Sequence, residues 1–181
     1  PEFRNSTTLG TMSANARPLI LIDVDGVLNV ITSAKERRRL CYHEGWRQKR
    51  VETDVGAFRL FWNPDSGPLL ARLAAETGAE LAWGTTWEEY ANLIVGPLVG
   101  LPRLPVASVN DFPHKANGIV PFTAGRPFVW FDDEPDAAEV TSVLAVSQPH
   151  LVVKVDERTG LTADHVAAAR EWLLALAGKA A

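Results

Sequence analysis

The chain has 181 residues, 46% of them hydrophobic and 22% charged, with a formal net charge of −4. That length is one domain's worth and can bury most of what an unfolded chain exposes, so the composition is that of a globular protein. No apolar run approaches the roughly 20 residues of a membrane-spanning helix, no signal-peptide core opens the chain, and the single Cys41 excludes an internal disulfide or a CxxC site, so a cytoplasmic protein is expected.

Pro1 to Thr11 carries no periodic pattern and precedes the only methionine, Met12, as an expression remnant would. Residues 1–17 are therefore expected to stand outside a single folded unit running over 18–181. Leu19 to Ile22 follow as four consecutive apolar residues, too few for a helix and β-branched enough for a strand buried on both faces. The run ends in D-V-D-G, with Asp23 and Asp25 where the strand breaks into a turn at Gly26. In open α/β sheets that edge is where ligands bind. Two acids at this place, with no Lys or Arg between Arg17 and Lys35, point to a bound cation as compensation, and all-oxygen ligands suit Mg2+. The alternative is that the two acids only cap a turn.

D-V-D-G-V-L-N, Asp23 to Asn29, resembles motif I of the haloacid dehalogenase (HAD) superfamily. The resemblance implies a Rossmann-like three-layer sandwich with a central, mostly parallel sheet. It further implies that Asp23 attacks phosphorus and that Asp25 serves as acid and base. Three further motifs are then expected in fixed order.

Val30 to Arg39 turns polar and basic, as suits a segment crossing the mouth of a site. Between Lys35 and Arg50 seven Lys/Arg stand against two Glu, a local +5 on a remainder of −9, which makes this stretch a candidate for contact with a polyanion or a phosphorylated substrate. A solvated, salt-bridged surface is the other reading. Trp46 to Val51 and Ala57 to Trp62, separated by turn residues around Gly56, predict a β-hairpin. With the basic segment it makes a flap over about 31–62, too short to be a full cap domain. Asn63 to Ser66 starts a helix that Gly78 closes, and Ala79 to Trp83 is the next strand, so a right-handed βαβ crossover is expected.

That strand ends at Thr85, which resembles motif II, a hydroxyl that holds a phosphate oxygen. Thr86 opens T-W-E-E, a capping box with Glu89, for a helix over Trp87 to Val95 that Gly96-Pro97 stops. Leu104 to Val106, between prolines, predicts at most a short extended run. Lys115, the only lysine between Lys49 and Lys154, matches motif III, a cation that neutralises nucleophile and phosphate. Phe128 to Phe131 is a third buried strand, and the D-D-E-P-D after it resembles motif IV. Asp132 is the implied metal ligand and Asp133 a second ligand or its partner. Glu134 and Asp136 are read as favouring the dipole of a helix over Asp136 to Val146. A strand at Leu151 to Val155 and a helix from Thr162 to Ala177, stopped by Gly178, complete the alternation. Of the four histidines only His114, beside Lys115, is placed where it could act.

W-G-T-T-W-E-E-Y-A-N, a later lysine, F-V-W-F-D-D-E and G-L-T together resemble a bacterial HAD subgroup associated with RNA-repair proteins. The superfamily likeness implies a Mg2+-dependent phosphatase that forms an aspartyl-phosphate on Asp23. Asp23, the backbone carbonyl of Asp25 and Asp132 would then be the metal ligands. True dehalogenases lack an acid at the position of Asp25, which sets them aside. The basic flap extends the expectation to a nucleic-acid end or a phosphoprotein as partner. The competing expectation is a catalytically silent module that keeps the fold and binds phosphate or protein.

Overall fold

The computed structural model describes residues 17–134 and 148–180. The expected helix Asp136 to Val146, with Asp136 itself, and the expected leader lie outside the described residues. Four parallel strands form the central sheet: β1 (Leu19–Ile22), β4 (Glu80–Trp83), β5 (Phe128–Asp132) and β6 (His150–Lys154), in the order β4-β1-β5-β6. β1 lies between β4 and β5, with Leu19 opposite Glu80 and Phe128, and Ile22 opposite Trp83 and Phe131. All four residues of β1 are buried, as a strand covered on both faces requires.

The pleat divides the core. Ile20, Ile22, Val129 and Phe131 pack with Leu70 and Leu73 of α2 (Ser66–Thr77) and with Val166 and Leu173 of the C-terminal helix α5 (Ala163–Ala180). Leu19, Leu21, Phe128 and Trp130 face the other way, onto Ala116 and Ile119 of α4 (Lys115–Thr123). The result is the expected three-layer α/β sandwich, Rossmann-like, with its strand C-termini on one edge. Gly78 ends α2 in the left-handed conformation, φ 70°, as its position after the helix predicts. Thr162 accepts the N–H of His165 and so caps α5, but Gly178 does not stop that helix.

The hairpin is present as β2 (Arg47–Thr53) and β3 (Gly56–Trp62), antiparallel from Arg47 opposite Trp62 to Thr53 opposite Gly56. One face sends Val51, Leu60 and Trp62 into the main core. On the other, Phe61 packs with Val30 and Leu40 and stacks on Trp46. The polar segment before it is not an open crossing. It folds into α1 (Ala34–His43), capped by the Ser33 hydroxyl, with Leu40 as its one buried side chain and Arg39 clasped by Glu36 and Glu44, both at 2.7 Å. A single buried position in ten residues, with the other apolar ones crowded beside it, gives no periodicity to read, which is why the sequence pattern missed it.

The helix expected over Trp87 to Val95 is different in kind. A turn leads into a π-helical stretch, Ala91–Val95, and then into the short α3 (Gly96–Val99), which Gly96-Pro97 opens rather than prevents. Glu88 adopts φ 43°, and Glu89 points to Arg103 at 2.7 Å, so the Thr86–Glu89 capping box does not form. Asn92 carries the distortion, accepting from the Trp83 indole and the Leu104 N–H and donating to the Leu104 carbonyl. Val106 makes only an isolated bridge to Trp83. Among the described residues no helix is long and apolar enough to cross a membrane.

Gly118 sets how closely α4 approaches the loop before it, since a Cβ there would lie 2.0 Å from the Ser108 carbonyl oxygen. That oxygen is backbone and has little room to yield, so Gly118→Ala is expected to lower unfolding free energy by about 2 kcal/mol or more, measured by urea denaturation.

Candidate active site

Asp23 leaves β1 at the sheet's C-terminal edge and is 2% exposed. Its Oδ1 accepts the N–H of Val24 at 2.8 Å, and its Oδ2 accepts from Lys115 Nζ at 2.7 Å. The Thr85 hydroxyl, at the end of β4, also bonds this carboxylate and accepts the Trp87 N–H at 3.3 Å. Asp132, the last residue of β5, is fully buried; Oδ2 takes Lys115 Nζ at 3.0 Å and Oδ1 takes the N–H of Glu134 at 2.9 Å. Neighbouring parallel strands thus bring Asp23, Thr85 and Asp132 to one edge, and Lys115 reaches across from the first turn of α4.

Asp133 completes a cluster in which ligand atoms of Asp23, Asp132 and Asp133 lie within 4.8 Å of one another. Gly26 makes room for it. Its φ is +71°, and a Cβ there would stand 2.2 Å from Asp133 Cγ, so a side chain at 26 is excluded both by conformation and by space. Lys115 flanks the cluster on the side where Glu134 and a cavity lie, whereas Asp133 lines a separate cleft with Lys154 to Glu157.

Asp25 is placed differently from the other acids. Its carboxylate turns away from the cluster and accepts from Asn29 Nδ2 at 2.6 Å and from the Trp87 indole N–H at 2.8 Å. Asn29 in turn accepts the Phe61 N–H at 2.9 Å, and Trp87 meets the ring of Phe58 at 5.1 Å. Tyr90 bonds Asp54 at the hairpin turn. The flap is therefore tied down over the residues that hold Asp25. Neither Asn29 nor Trp87 had been assigned a role from sequence. The usable signal was Asn29, one helical turn's spacing after an acid in a stretch that turns back on itself.

Burial dominates the electrostatics. It pushes the Asp23 carboxyl up against the opposing pull of Lys115. It pushes Asp132 up to about 7, with the Asp23 charge adding to the shift. Asp133 is raised by the same two causes in the same order. Burial would lower Lys115, but Asp23 and Asp132 outweigh it and hold the ammonium above its ordinary range. Glu134 also contacts Lys115, at 3.3 Å, but at 72% exposure this pair is largely screened.

The residue types fit a hard divalent cation. Three carboxylates converge, one of them in a recess that only glycine leaves open, and one lysine neutralises only part of their charge. Among the expected ligands, Asp25 stands apart by its side chain, so only its backbone carbonyl could serve.

No protein-family model matches this sequence, and no curated protein matches it either. Two solved structures are distantly similar to this chain. One is a hypothetical protein from Xanthomonas campestris, 16% identical with a TM-score of 0.43, over 92% of this chain and 90% of that one. The other, from Legionella pneumophila, is described as a putative HAD superfamily (subfamily III A) hydrolase, 16% identical with a TM-score of 0.43, over 92% of each chain. Likeness at that distance says nothing of chemistry.

Because burial raises the Asp132 carboxyl to about 7 in the folded state, above its value in the unfolded chain, stability in metal-free buffer is expected to fall as pH rises from about 4 to about 7. Urea midpoints across that window test it. Asp132→Asn should flatten the slope, and Mg2+ should reverse it by favouring the ionised carboxylates.

Proposed function

We propose that this protein is a Mg2+-dependent phosphatase that hydrolyses a phosphate monoester through an aspartyl-phosphate on Asp23. The observation that carries the reading is the meeting of Asp23, Thr85, Lys115, Asp132 and Asp133 at one sheet edge, with a second acid, Asp25, held beside them but outside the cluster. Motif I and motif IV likenesses at Asp23 to Asn29 and Asp132 to Asp136 agree with it.

Asp23, Asp132 and Asp133, with the Asp25 backbone carbonyl, would hold the ion. When bound, Mg2+ supplies Lewis-acid screening between an anionic nucleophile and an anionic phosphate. The remaining chemistry belongs to the chain. Lys115 and the Thr85 hydroxyl hold phosphate oxygens at the strand edge. A carboxylate oxygen of Asp23 bonds to phosphorus as the ester P–O bond breaks, and Asp25 gives the departing oxygen its proton. Water then attacks phosphorus, Asp25 takes a proton from it, and the bond to Asp23 breaks to release inorganic phosphate. Such proton transfer contributes roughly 10²- to 10⁴-fold in rate. Asn29 and Trp87 fix the Asp25 carboxylate for this task, one from the turn after β1 and one from the turn after β4.

With a hairpin in place of a full cap domain the site suits an ester presented at an open rim. The seven basic residues between Lys35 and Arg50 favour a polyanionic partner, a nucleic-acid end or a phosphoprotein.

Phosphate release from a panel of monoesters with Mg2+ tests the proposal. Asp23→Asn is expected to abolish turnover, Asp25→Asn to reduce kcat by about 10² or more, and chelation to stop release until Mg2+ is restored. Retained phosphate binding with no release from any ester would identify the silent module instead.

A further inference from the structure

Strand β3 of the hairpin touches both groups that hold the Asp25 carboxylate. The Phe61 N–H donates to Asn29 Oδ1 at 2.9 Å, and the Phe58 ring lies 5.1 Å from that of Trp87. We infer that Phe58 is a positioning residue: seated against Trp87, it keeps the indole where its N–H meets Asp25, so that the hairpin governs proton transfer and leaves metal and phosphate binding alone. The inference rests on the phosphatase reading for the reaction it serves, while the link from Phe58 to Asp25 stands on geometry.

Two observations carry it. The first is the place of Phe58. Val51, Leu60 and Trp62 on the same face of the hairpin are buried in the main core, whereas Phe58, opposite Val51, stands 38% exposed beyond it. Its ring is set against Trp87 instead, and Tyr90 bonds Asp54 at the hairpin turn, which fastens the same end of the hairpin to the segment that carries Trp87. The second observation is what Trp87 spans. Its backbone N–H donates to the Thr85 hydroxyl at 3.3 Å, and its indole N–H donates to Asp25 Oδ2 at 2.8 Å. A residue pinned at its backbone beside one site group thus reaches another with the edge of its ring, and the setting of that ring decides whether the second bond is well aligned.

The carboxylate cluster does not share these contacts. Asp23, Asp132 and Lys115 bond one another, the Val24 and Glu134 N–H groups, the Glu134 carboxylate and the Thr85 hydroxyl, none of which lies in the hairpin. Loss of the Phe58 ring therefore loosens Asp25 and leaves the cluster in place. The consequence depends on the ester. Asp25 gives its proton to the ester oxygen as the P–O bond breaks, and a basic alkoxide needs that proton far more than a nitrophenolate, which departs as the anion. A misplaced Asp25 is felt in proportion to the basicity of the leaving oxygen, a pattern that a general loss of folding or of metal does not produce.

The test compares glycerol 2-phosphate with 4-nitrophenyl phosphate in the presence of Mg2+. The quantity read is kcat/KM, which covers the departure of the leaving oxygen and not the later attack of water. Phe58→Leu is expected to lower it about tenfold for glycerol 2-phosphate, a part of the roughly 10²- to 10⁴-fold that proton transfer contributes, and by less than about twofold for 4-nitrophenyl phosphate. Phe58→Tyr, which keeps the ring at this half-exposed position, should restore the ratio. Trp87→Phe, which keeps a ring and removes the N–H, should move it in the same direction as Phe58→Leu and at least as far. Mg2+ affinity, measured by isothermal titration, should be the same in Phe58→Leu as in the wild type. Equal losses on both esters, or a weakened Mg2+ affinity, overturn the inference and leave the phosphatase reading standing. A second readout needs no turnover: solvent exchange of the Trp87 indole N–H, assigned by its loss in Trp87→Phe, should be about tenfold faster in Phe58→Leu. An unchanged exchange rate overturns the link. If the wild type hydrolyses neither ester but exchange still quickens, the phosphatase reading fails and the link from Phe58 to Asp25 stands.

Discussion

The structure depends on one electrostatic compromise, the gathering of Asp23, Asp132 and Asp133 at the end of the central strands with the part-buried Lys115 as the cation that bonds two of them among the described residues. Carboxylates are seldom buried without a partner, because the loss of water costs more than most single contacts return. Here the compensation is incomplete by design of the backbone. Lys115 reaches Asp23 and Asp132, the Val24 and Glu134 N–H groups take one further oxygen each, and Asp133 is brought in only because Gly26 has no side chain. The raised carboxyl groups measure the shortfall. Anything that supplies positive charge at that edge lowers the energy of the whole arrangement.

Asp25 shows the opposite arrangement, and the contrast separates the roles open to the two acids. It sits two residues from Asp23, yet its oxygens are both taken by neutral donors, Asn29 and Trp87. Those donors are themselves fastened to the hairpin through Phe61 and Phe58. Position of the flap and orientation of this carboxylate are therefore linked, whereas Asp23 and Asp132 follow adjacent strands and are held by Lys115 and by backbone N–H groups. A movement of the hairpin would disturb Asp25 and leave the cluster intact.

How much of this was legible beforehand follows from the kind of signal each element carries. Buried parallel strands announce themselves as apolar runs, so β1, β4 and β5 were readable, and with them the convergence of Asp23, Thr85 and Asp132. Lys115 was placed by order along the chain, although nothing local marks it as the start of α4; Gly118 and Pro121 argue against a helix there, and the helix forms because Gly118 fits against Ser108. Helix α1 was invisible because it buries one residue. The stretch after Thr85 was misread because local capping rules favoured a regular helix, and tertiary bonds won: Glu88 and Asn92 both spend their side chains on the segment Leu104 to Asn110. That kind of contact, between residues a dozen or more apart, leaves no periodic trace.

The same argument bears on what the site can accept. Two unit charges 4 Å apart interact by about 4 kcal/mol at an effective dielectric of 20. A phosphate dianion approaching three carboxylates thus meets repulsion that one lysine cannot offset, and Glu134, already on that lysine, competes for it. Glu134 is exposed and can swing into water at little cost, so displacement of its carboxylate from Lys115 is the cheapest way to free a donor for an incoming oxyanion. The buried pair with Asp23 cannot yield in the same way without leaving a carboxylate bare. On the phosphatase reading proposed above, entry of a phosphate would then require two separate changes: release of Glu134 from Lys115, and added positive charge at the carboxylates.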